Sequence, residues 1–363
     1  IVAELQYGVD FVSAGSGNSV AVIPLKPLEG ATTYLLALTN GLKDSTGAAI
    51  KPSTTYELVK QDLATNPLAT DAQRGLQAVI NSFESTMLRD EGLPKESIIY
   101  TANVADFDED RQQLAFNAKK AGVDALVLIG FVQSRFDELV QTHHQLKSWE
   151  NVPTSYLAPG LHPFYIEQHQ PEHLAHLEHI LQQENCVAVG EIGLDTFLKE
   201  HKQPDVYAKQ KQYFAAQLEL ATQYQKPVLL HIRKAHGDVL AILKAQKFKF
   251  GGIAHAFSGG VEEAKGLIKL GFKIGVTGQI TNPNAKKLHT VVQAIGAEHL
   301  VIETDCPDMT PLCCQTSTEH RTRNTPVNLP YVLEGLAQTL GQSTQSLAIQ
   351  LWQNSLAALH LKF

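Results

Sequence analysis

The chain has 363 residues, 44% of them hydrophobic and 18% charged, which is typical of a globular protein with a sizeable core. Its net charge of -7 argues against a basic groove for nucleic acid, because such grooves neutralise phosphates with Lys and Arg. No apolar run is long enough to span a bilayer, and no signal peptide is visible. Four cysteines without a Cys-x-x-Cys pair argue against a thiolate zinc site and favour a reducing compartment. We therefore expect a cytoplasmic monomer.

Residues 1–104 form a first region, which is rich in Thr, Ser, Gly and Ala. The stretches NSVAVIPL (18–25) and TTYLLALT (32–39) predict short strands, because each is an apolar run bounded by turn residues. Apolar residues at helical spacing predict a helix over 71–90. The first region is therefore expected to be a small β-rich segment followed by a helix.

Residues 105–363 form a second region, in which apolar runs alternate with amphipathic, helix-like segments. This alternation predicts an α/β fold with a parallel sheet, and the length suits the roughly 250 residues of a (β/α)8 TIM barrel. SIIYT (97–101) is the candidate for the first strand of that barrel. A doubly wound open sheet is the alternative, but no G-x-G-x-x-G follows an early strand. The seven other predicted strands are DALVLIGF (124–131), TSYLAPGLHP (154–163), VAVGEIG (187–193), PVLLH (227–231), GGIAH (251–255), FKIGVTG (272–278) and HLVIETD (299–305).

Polar side chains stand at the ends of five of these predicted strands. They are His162, Glu191, His231, His255 and Asp305. One such residue alone is more often a cap, but the carboxyl ends of barrel strands converge on one rim. Imidazole and carboxylate ligands without thiolate suit Mg, Mn, Fe or Zn, so the set predicts a divalent metal site. A metal there would activate water and neutralise a phosphoryl oxygen.

Other polar residues give weaker signals. Ser258, in HAFSGG, has no base arranged for it by the sequence, and its loop suits an approach of backbone to an anion. Cys306 could be a reactive thiol or a small packing residue. Arg233 could hold a phosphate or make a surface ion pair. Asp195 is expected to support the loop after its strand rather than to bind metal.

The motifs of the second region, taken together and in order, resemble the TatD family of metal-dependent deoxyribonucleases and related hydrolases. The resemblance covers about residues 105–363 and implies a TIM barrel with one or two divalent ions, Mg, Mn or Zn, that hydrolyses phosphodiester bonds in DNA. The motifs are GLHPF (160–164), VAVGEIGLD (187–195), KPVLLHIRKAHGDVLAIL (226–243), GGIAHAFSGG (251–260), LGFKIGVTGQIT (270–281), VIETDCPDM (301–309) and RNTPVNLPYV (323–332).

The resemblance also implies roles for individual residues. Glu191 would be the bridging carboxylate, and His231 and His255 would bind the second metal. Asp305 would bind the first metal and orient or deprotonate the attacking water. The remaining motif residues would contact substrate: His162, Arg233 and Asn324.

The chain departs from the family at its first barrel strand. Family members usually carry Asp-x-His-x-His-x-Asp there, and the two histidines bind the first metal. Here the corresponding positions fall near Ile99 and Thr101, and neither side chain can act as an imidazole ligand. The departure puts the first metal, and with it two-metal catalysis, in doubt.

The first region resembles the N-terminal domain of bacterial virulence-factor lipases, with an Ig-like Thr-Tyr strand and a Lys-Asp-x-x-Gly turn. No G-x-S-x-G occurs in the chain, so lipase chemistry is not implied. We interpret the chain as a fusion in which this segment replaces the first barrel strand. Since that lipase domain is exported, the resemblance weakens the expectation of a cytoplasmic location.

Three functions follow from these patterns. The first is a metal-dependent phosphodiesterase, a DNase of exonuclease type. The second is a barrel that keeps the fold but is catalytically impaired because the histidine pair is missing. The third is metal-dependent hydrolysis of another substrate class, since one barrel rim supports many chemistries.

Overall fold

The computed structural model describes residues 111–315 and 322–362, together with four N-terminal strands and isolated positions between them. The chain divides into two compact units, Ile1–Glu109 and Asp110–Phe363. A boundary at residue 104 or 105 between domains of separate origin stays a prediction. The isolated positions are 43, 48, 61, 62, 64–68, 77, 80 and 81.

The described part of the first unit consists of two antiparallel strand pairs. Strand β1 (Phe11–Ser16) pairs with β2 (Ser19–Pro24), and β3 (Tyr34–Thr39) pairs with β4 (Ile98–Val104). The two strands predicted over 18–25 and 32–39 are therefore confirmed. Most of the helix predicted over 71–90 lies outside the described residues.

Strand β4 contains residues 98–101 of the SIIYT segment that the sequence suggested as the first barrel strand. Among the described strands it pairs only with β3, with Leu36 opposite Ala102. Its antiparallel partner in this ladder is β3. That the segment supplies the first barrel strand stays a prediction.

The described part of the second unit contains seven parallel strands in chain order, at all seven positions that the sequence predicted. Strands β7 to β11 form one sheet, β5 and β6 form another, and a parallel bridge between Leu157 and Cys186 lies between them. The strands are β5 (Ala125–Ile129), β6 (Thr154–Ala158), β7 (Val189–Asp195), β8 (Val228–Arg233), β9 (Gly252–Ala254), β10 (Phe272–Val276) and β11 (Leu300–Ile302).

Helices connect these strands and cover them. Strands alternate with helices, and neighbouring strands pair in parallel in the order of the chain. This arrangement is typical of a TIM barrel. No helix of the described chain has the length and apolar character needed to cross a membrane. The helices are α1 (Arg111–Lys120), α2 (Phe136–Ser148), α3 (Pro171–Gln183), α4 (Pro204–Gln223), α5 (His236–Ala245), α6 (Val261–Ile268), α7 (Lys286–Ile295), α8 (Leu329–Leu340) and α9 (Thr344–Ala358).

Two apolar clusters divide the strand side chains between the two faces of the sheet. Val228 and Leu230 pack in the outer core against the helices, whereas Leu229 between them packs in the inner core. Because side chains alternate along a strand, His231 follows Leu229 onto the inner face. The same alternation places His255 on the inner face two residues after Ile253.

Glu191 reaches the inner face through an irregularity in β7. Val189, Ile192 and Leu194 all belong to the outer core, which breaks strict alternation. The pairing of β7 with β8 shifts register between Val189 and Ile192, as in a bulge. Glu191 therefore shares the inner face with Asp195, at the end of the strand where the predicted ligands gather.

Candidate metal centre

Glu191 is the carboxylate around which the three predicted histidines gather. His231 Nδ1 lies 3.2 Å from Glu191 Oε1, and His255 Nε2 lies 3.8 Å from the same oxygen. His162 Nε2 lies 3.8 Å from the other oxygen, Oε2. The side chain of Glu191 is only 9% exposed, so these groups meet largely out of water. Four predicted site residues from different strands and loops are thus brought together.

His231 is held between two carboxylates. Its Nε2 lies 2.8 Å from Asp195 Oδ2, on the opposite side of the ring from Glu191. Asp195 is fully buried and also accepts a hydrogen bond from the Phe197 backbone N–H at 2.7 Å. With the proton on Nε2, the neutral ring presents the lone pair of Nδ1 to the centre.

His255 is held in the same manner from the other side. Its Nδ1 lies 2.7 Å from Glu303 Oε2, and its Nε2 lies 3.0 Å from Asp305 Oδ1. The other oxygen of Glu303 accepts the Ala256 backbone N–H at 2.6 Å. Glu303 thereby orients the ring so that Nε2 faces Asp305 and Glu191.

His162 differs from the other two imidazoles in its tautomer. Its Nδ1 accepts the Phe164 backbone N–H at 3.0 Å, so the proton of the neutral ring lies on Nε2. A protonated Nε2 donates hydrogen bonds but does not ligate a metal. The described residues nevertheless contain one group with metal-ligand spacing, and it is formed by His162, Glu191 and His231 within 4.8 Å.

The electrostatics of the centre keep the carboxylate ionised. Burial by itself would raise the pKa of Glu191, but His255, His162 and the hydrogen-bonded His231 outweigh it and hold that pKa well below its usual range. Burial opposes charge on His231, yet Asp195 and Glu191 raise its pKa to about 9. Burial and the neighbouring His231 lower the pKa of His162 to about 3, so this ring is neutral at physiological pH.

The donor set fits a divalent cation. Two imidazole nitrogens, His231 Nδ1 and His255 Nε2, lie 3.2 and 3.8 Å from the same oxygen of Glu191, and Asp305 Oδ1 lies 3.0 Å from His255 Nε2. Mixed nitrogen and oxygen ligands suit Zn, Mn or Mg rather than a thiolate-selecting ion. A cation there would displace the protons that are shared between these imidazole nitrogens and the carboxylate oxygens.

Asp305 is the most accessible acid of the centre, with its side chain 31% exposed. Its backbone lies in the left-handed region at φ 55°, inside the loop after β11. Asn324 is fully buried and its amide donates to the backbone oxygens of Thr304 and Asp308, at 2.8 and 2.7 Å. Asn324 thus shapes the loop that carries Asp305.

Arg233, the last residue of β8, is exposed. Its guanidinium carbon stands 3.5 Å from the centroid of the Phe197 ring, which is a cation–π contact. Burial raises the pKa of the Cys306 thiol, so it is not a ready nucleophile. Ser258 Oγ donates to the Ile232 backbone oxygen at 3.4 Å.

Glu303 was not predicted as a site residue, and Asp195 was expected only to support its loop. Both carboxylates hold imidazoles of the centre in place. A signal for Glu303 was present, because Val301, Glu303 and Asp305 have the spacing of two that places strand residues on one face. Asp195 carried no such signal, because its hydrogen bond to His231 depends on the register between β7 and β8.

The sequence of the second unit matches a described family. The model of the TatD related DNase family matches residues 101–360. The model of the bacterial virulence factor lipase N-terminal domain matches residues 1–125. Both resemblances drawn from the motifs are thereby confirmed.

Individual relatives agree with the family match. An uncharacterized metal-dependent hydrolase of Haemophilus influenzae is 35% identical over 208 residues, which cover 55% of this chain and 76% of that protein. The 3'-5' ssDNA/RNA exonuclease TatD of a Pantoea species is 30% identical over 253 residues, covering 69% and 93%. The crystal structure of the Escherichia coli TatD homologue YjjV superposes with a TM-score of 0.62 at 29% identity, covering 71% and 95%. The predicted α/β barrel is thereby confirmed.

Proposed function

We propose that this chain, which belongs to the family of TatD-related DNases, is a divalent-metal-dependent exonuclease acting on single-stranded DNA. The observation that carries the proposal is the convergence of His231 and His255 on Glu191, each backed by a second carboxylate. Membership in a family of metal-dependent hydrolases supports the hydrolytic chemistry, and relatives named ssDNA/RNA exonucleases support the substrate.

The protein groups have separable tasks in this reaction. Glu191, His231 and His255 would hold the cation, with Asp195 and Glu303 keeping each imidazole in the ligating tautomer. A divalent cation held there would supply a Lewis acid that polarises a phosphoryl oxygen and lowers the pKa of a water molecule. Asp305 would take the proton of the attacking water, since its carboxylate is the most exposed in the centre.

His162 would act on the substrate side rather than as a ligand. Its Nε2 carries the proton of the neutral ring, and its low pKa keeps it a neutral donor. A neutral N–H donor near a phosphoryl oxygen stabilises the negative charge that develops there. Because the ring carries no charge, it does not compete with the cation for the carboxylate ligands. Arg233 would approach phosphates from the rim, and Asn324 would act through the Asp305 loop.

The substrate can be tested directly with 5'-labelled single-stranded DNA after treatment with chelator. We expect cleavage to return with Mn or Mg and to fall at least about a hundredfold in Glu191→Gln and in His231→Ala, because each loses a ligand. Glu219→Gln, which changes an exposed acid on α4, is the matched control and should cleave like wild type. Cleavage by both site variants at the wild-type rate would refute the proposal.

A second candidate is a barrel that binds metal but turns over nucleic acid poorly. It is favoured by the absence of any histidine before residue 143, which removes the first-strand pair that the family resemblance implies. This candidate predicts metal binding that requires Glu191 and His231 but no cleavage of DNA, RNA or small phosphodiesters. Measurable turnover that depends on Glu191 would exclude it.

A further inference from the structure

Two phenylalanine side chains beside the candidate metal centre are exposed to solvent. Phe164 is 39% exposed and Phe197 is 44% exposed, whereas Phe136 and Phe214 of the same unit are fully buried. Phe164 follows β6 and Phe197 follows β7, so both belong to loops at the carboxyl ends of strands, which in a TIM barrel surround the site of reaction. One exposed apolar side chain is ordinary, but two at the same rim indicate a surface that receives a ligand.

The backbone of each phenylalanine holds a side chain of the site. The Phe164 N–H donates to His162 Nδ1 at 3.0 Å, and the Phe197 N–H donates to Asp195 Oδ1 at 2.7 Å. The other oxygen of Asp195 lies 2.8 Å from His231 Nε2. The backbone of each phenylalanine is therefore tied to a histidine of the centre, either directly or through one carboxylate.

Both rings are held by neighbours although they are exposed. The guanidinium carbon of Arg233 lies 3.5 Å from the centroid of the Phe197 ring, and Lys234 Nζ lies 5.0 Å from the same centroid. The Phe164 ring makes an edge contact with the buried His201 ring, with 5.5 Å between centroids and an interplanar angle of 86°. A side chain that is already oriented loses little conformational entropy when a ligand packs on it.

The two loops approach each other at one carboxylate. His201, against which Phe164 packs, has its Nδ1 3.8 Å from Asp195 Oδ1. That oxygen is the one that accepts the Phe197 N–H. The loops after β6 and β7 therefore meet at Asp195, and each of them carries one of the exposed rings.

The chemistry of these side chains favours a nucleotide as the ligand. Bases of a single strand stack on aromatic rings and on guanidinium planes, and phosphates are attracted by Arg and Lys. The net charge of -7 weakens the general attraction of the protein for a phosphate backbone. Contacts with the bases would supply the affinity that the backbone does not.

We propose that Phe197, with Arg233 against its ring, and Phe164 stack on bases of a single strand whose scissile phosphate lies at the metal centre. This inference rests on the proposed function and deepens it, because it names residues that select a single-stranded substrate. Bases in a duplex are already stacked on their neighbours, so they would have to separate before they reach these rings.

Binding without metal separates base stacking from catalysis. Calorimetry in excess chelator would measure Kd of wild type for hexathymidylate and for an abasic oligonucleotide with the same number of phosphates. Neither oligonucleotide carries a dye, because a dye could stack on the same rings. We expect wild type to bind hexathymidylate at least about tenfold more tightly, since stacking on an aromatic side chain strengthens binding about 5- to 150-fold per base.

Substitutions of the rings test which residues supply this preference. Phe197→Leu removes the aromatic face but keeps an apolar side chain, so it should weaken binding of hexathymidylate about tenfold and leave binding of the abasic oligonucleotide unchanged. Phe164→Leu should have the same selective effect, and Phe197→Trp should bind hexathymidylate at least as tightly as wild type. Phe116→Leu, whose side chain on α1 is also 44% exposed, is the matched control and should bind both oligonucleotides like wild type.

The preference for bases decides between the outcomes. Wild type that binds neither oligonucleotide, or both equally, would overturn the stacking surface, as would an equal loss of both in Phe197→Leu. If wild type prefers hexathymidylate but never hydrolyses DNA with Mn or Mg, the proposed function fails and the stacking surface stands. If wild type hydrolyses DNA and Phe197→Leu binds hexathymidylate as tightly as wild type, the proposed function stands and the stacking surface fails.

Discussion

At the scale of single residues, two carboxylates hold the histidine rings of the candidate metal centre in position without facing its interior. Asp195 and Glu303 each bind the imidazole nitrogen remote from Glu191 or Asp305. Since a neutral imidazole has one proton, a carboxylate on one nitrogen leaves the other free to ligate. The centre therefore depends on two residues that would not touch the cation.

Asp195→Asn tests this dependence. An amide in place of the carboxylate can donate as well as accept, so it no longer fixes the proton on His231 Nε2. We expect the affinity for Mn or Zn, measured by calorimetry, to fall 10- to 100-fold, in the range typical of such partners. Asp124→Asn, an exposed site paired with Lys119 before β5, should bind like wild type. Unchanged affinity in Asp195→Asn would show that His231 is oriented by other means.

His169 provides a prediction for stability against pH. It is 1% exposed, its Nε2 donates to the His162 backbone oxygen at 2.9 Å, and burial lowers its pKa to about 4. The unfolded state then binds more protons than the native state between pH 6.5 and 4. Stability from this residue is present above pH 6.5 and is lost as pH falls toward 4, by up to about 3 kcal/mol.

The measurement is urea unfolding at pH 7 and pH 5 for wild type and His169→Gln, which keeps a donor but cannot titrate. We expect the difference in unfolding free energy between the two pH values to be smaller in the variant. His162 and His236 also have a pKa lowered by burial and shift stability in the same direction. The pH dependence of the variant must therefore be compared with that of wild type. Equal pH dependence would contradict this assignment.

At the scale of elements, the positions of the strands were easier to predict from the sequence than the strands with which they pair. Each barrel strand is a local apolar run, and its pattern needs no knowledge of distant residues. Glu191 was predicted as a strand-end ligand, but the face it occupies depends on the register shift between Val189 and Ile192. Such a shift arises from pairing with β8, so a local pattern does not contain it.

Gly193→Ala tests how tightly β7 and β8 are joined beside the centre. Gly193 has φ 145° and pairs with His231, and an added Cβ would stand 2.0 Å from the His231 backbone oxygen. We expect the free energy of unfolding in urea to fall by about 3 kcal/mol or more, because strain and overpacking combine. Gly237→Ala, whose Cβ would meet nothing within 4 Å, should change stability by less than about 1 kcal/mol. A fully stable Gly193→Ala would mean that the two strands separate easily.

At the scale of the whole molecule, the chain combines a barrel unit with an N-terminal unit of different sequence character. Composition and motifs separate the two, but they do not reveal which partner β4 takes. Its pairing with β3 joins segments roughly 60 to 70 residues apart, and such choices depend on global packing rather than on propensity. This is why seven barrel strands could be predicted from local patterns, whereas the antiparallel partner of β4 could not.

The absence of histidine from the first 142 residues leads to a prediction about metal stoichiometry. No histidine occurs before residue 143, so the first strand cannot supply the imidazole pair that a second ion would use. The proposed ligands Glu191, His231, His255 and Asp305 would suffice for one cation with three or four protein ligands. Metal analysis of purified protein dialysed against Mn or Zn should therefore give one equivalent per chain, and Glu191→Ala with His231→Ala should give close to none. Two equivalents in wild type that both disappear in this variant would mean that other residues complete a second site.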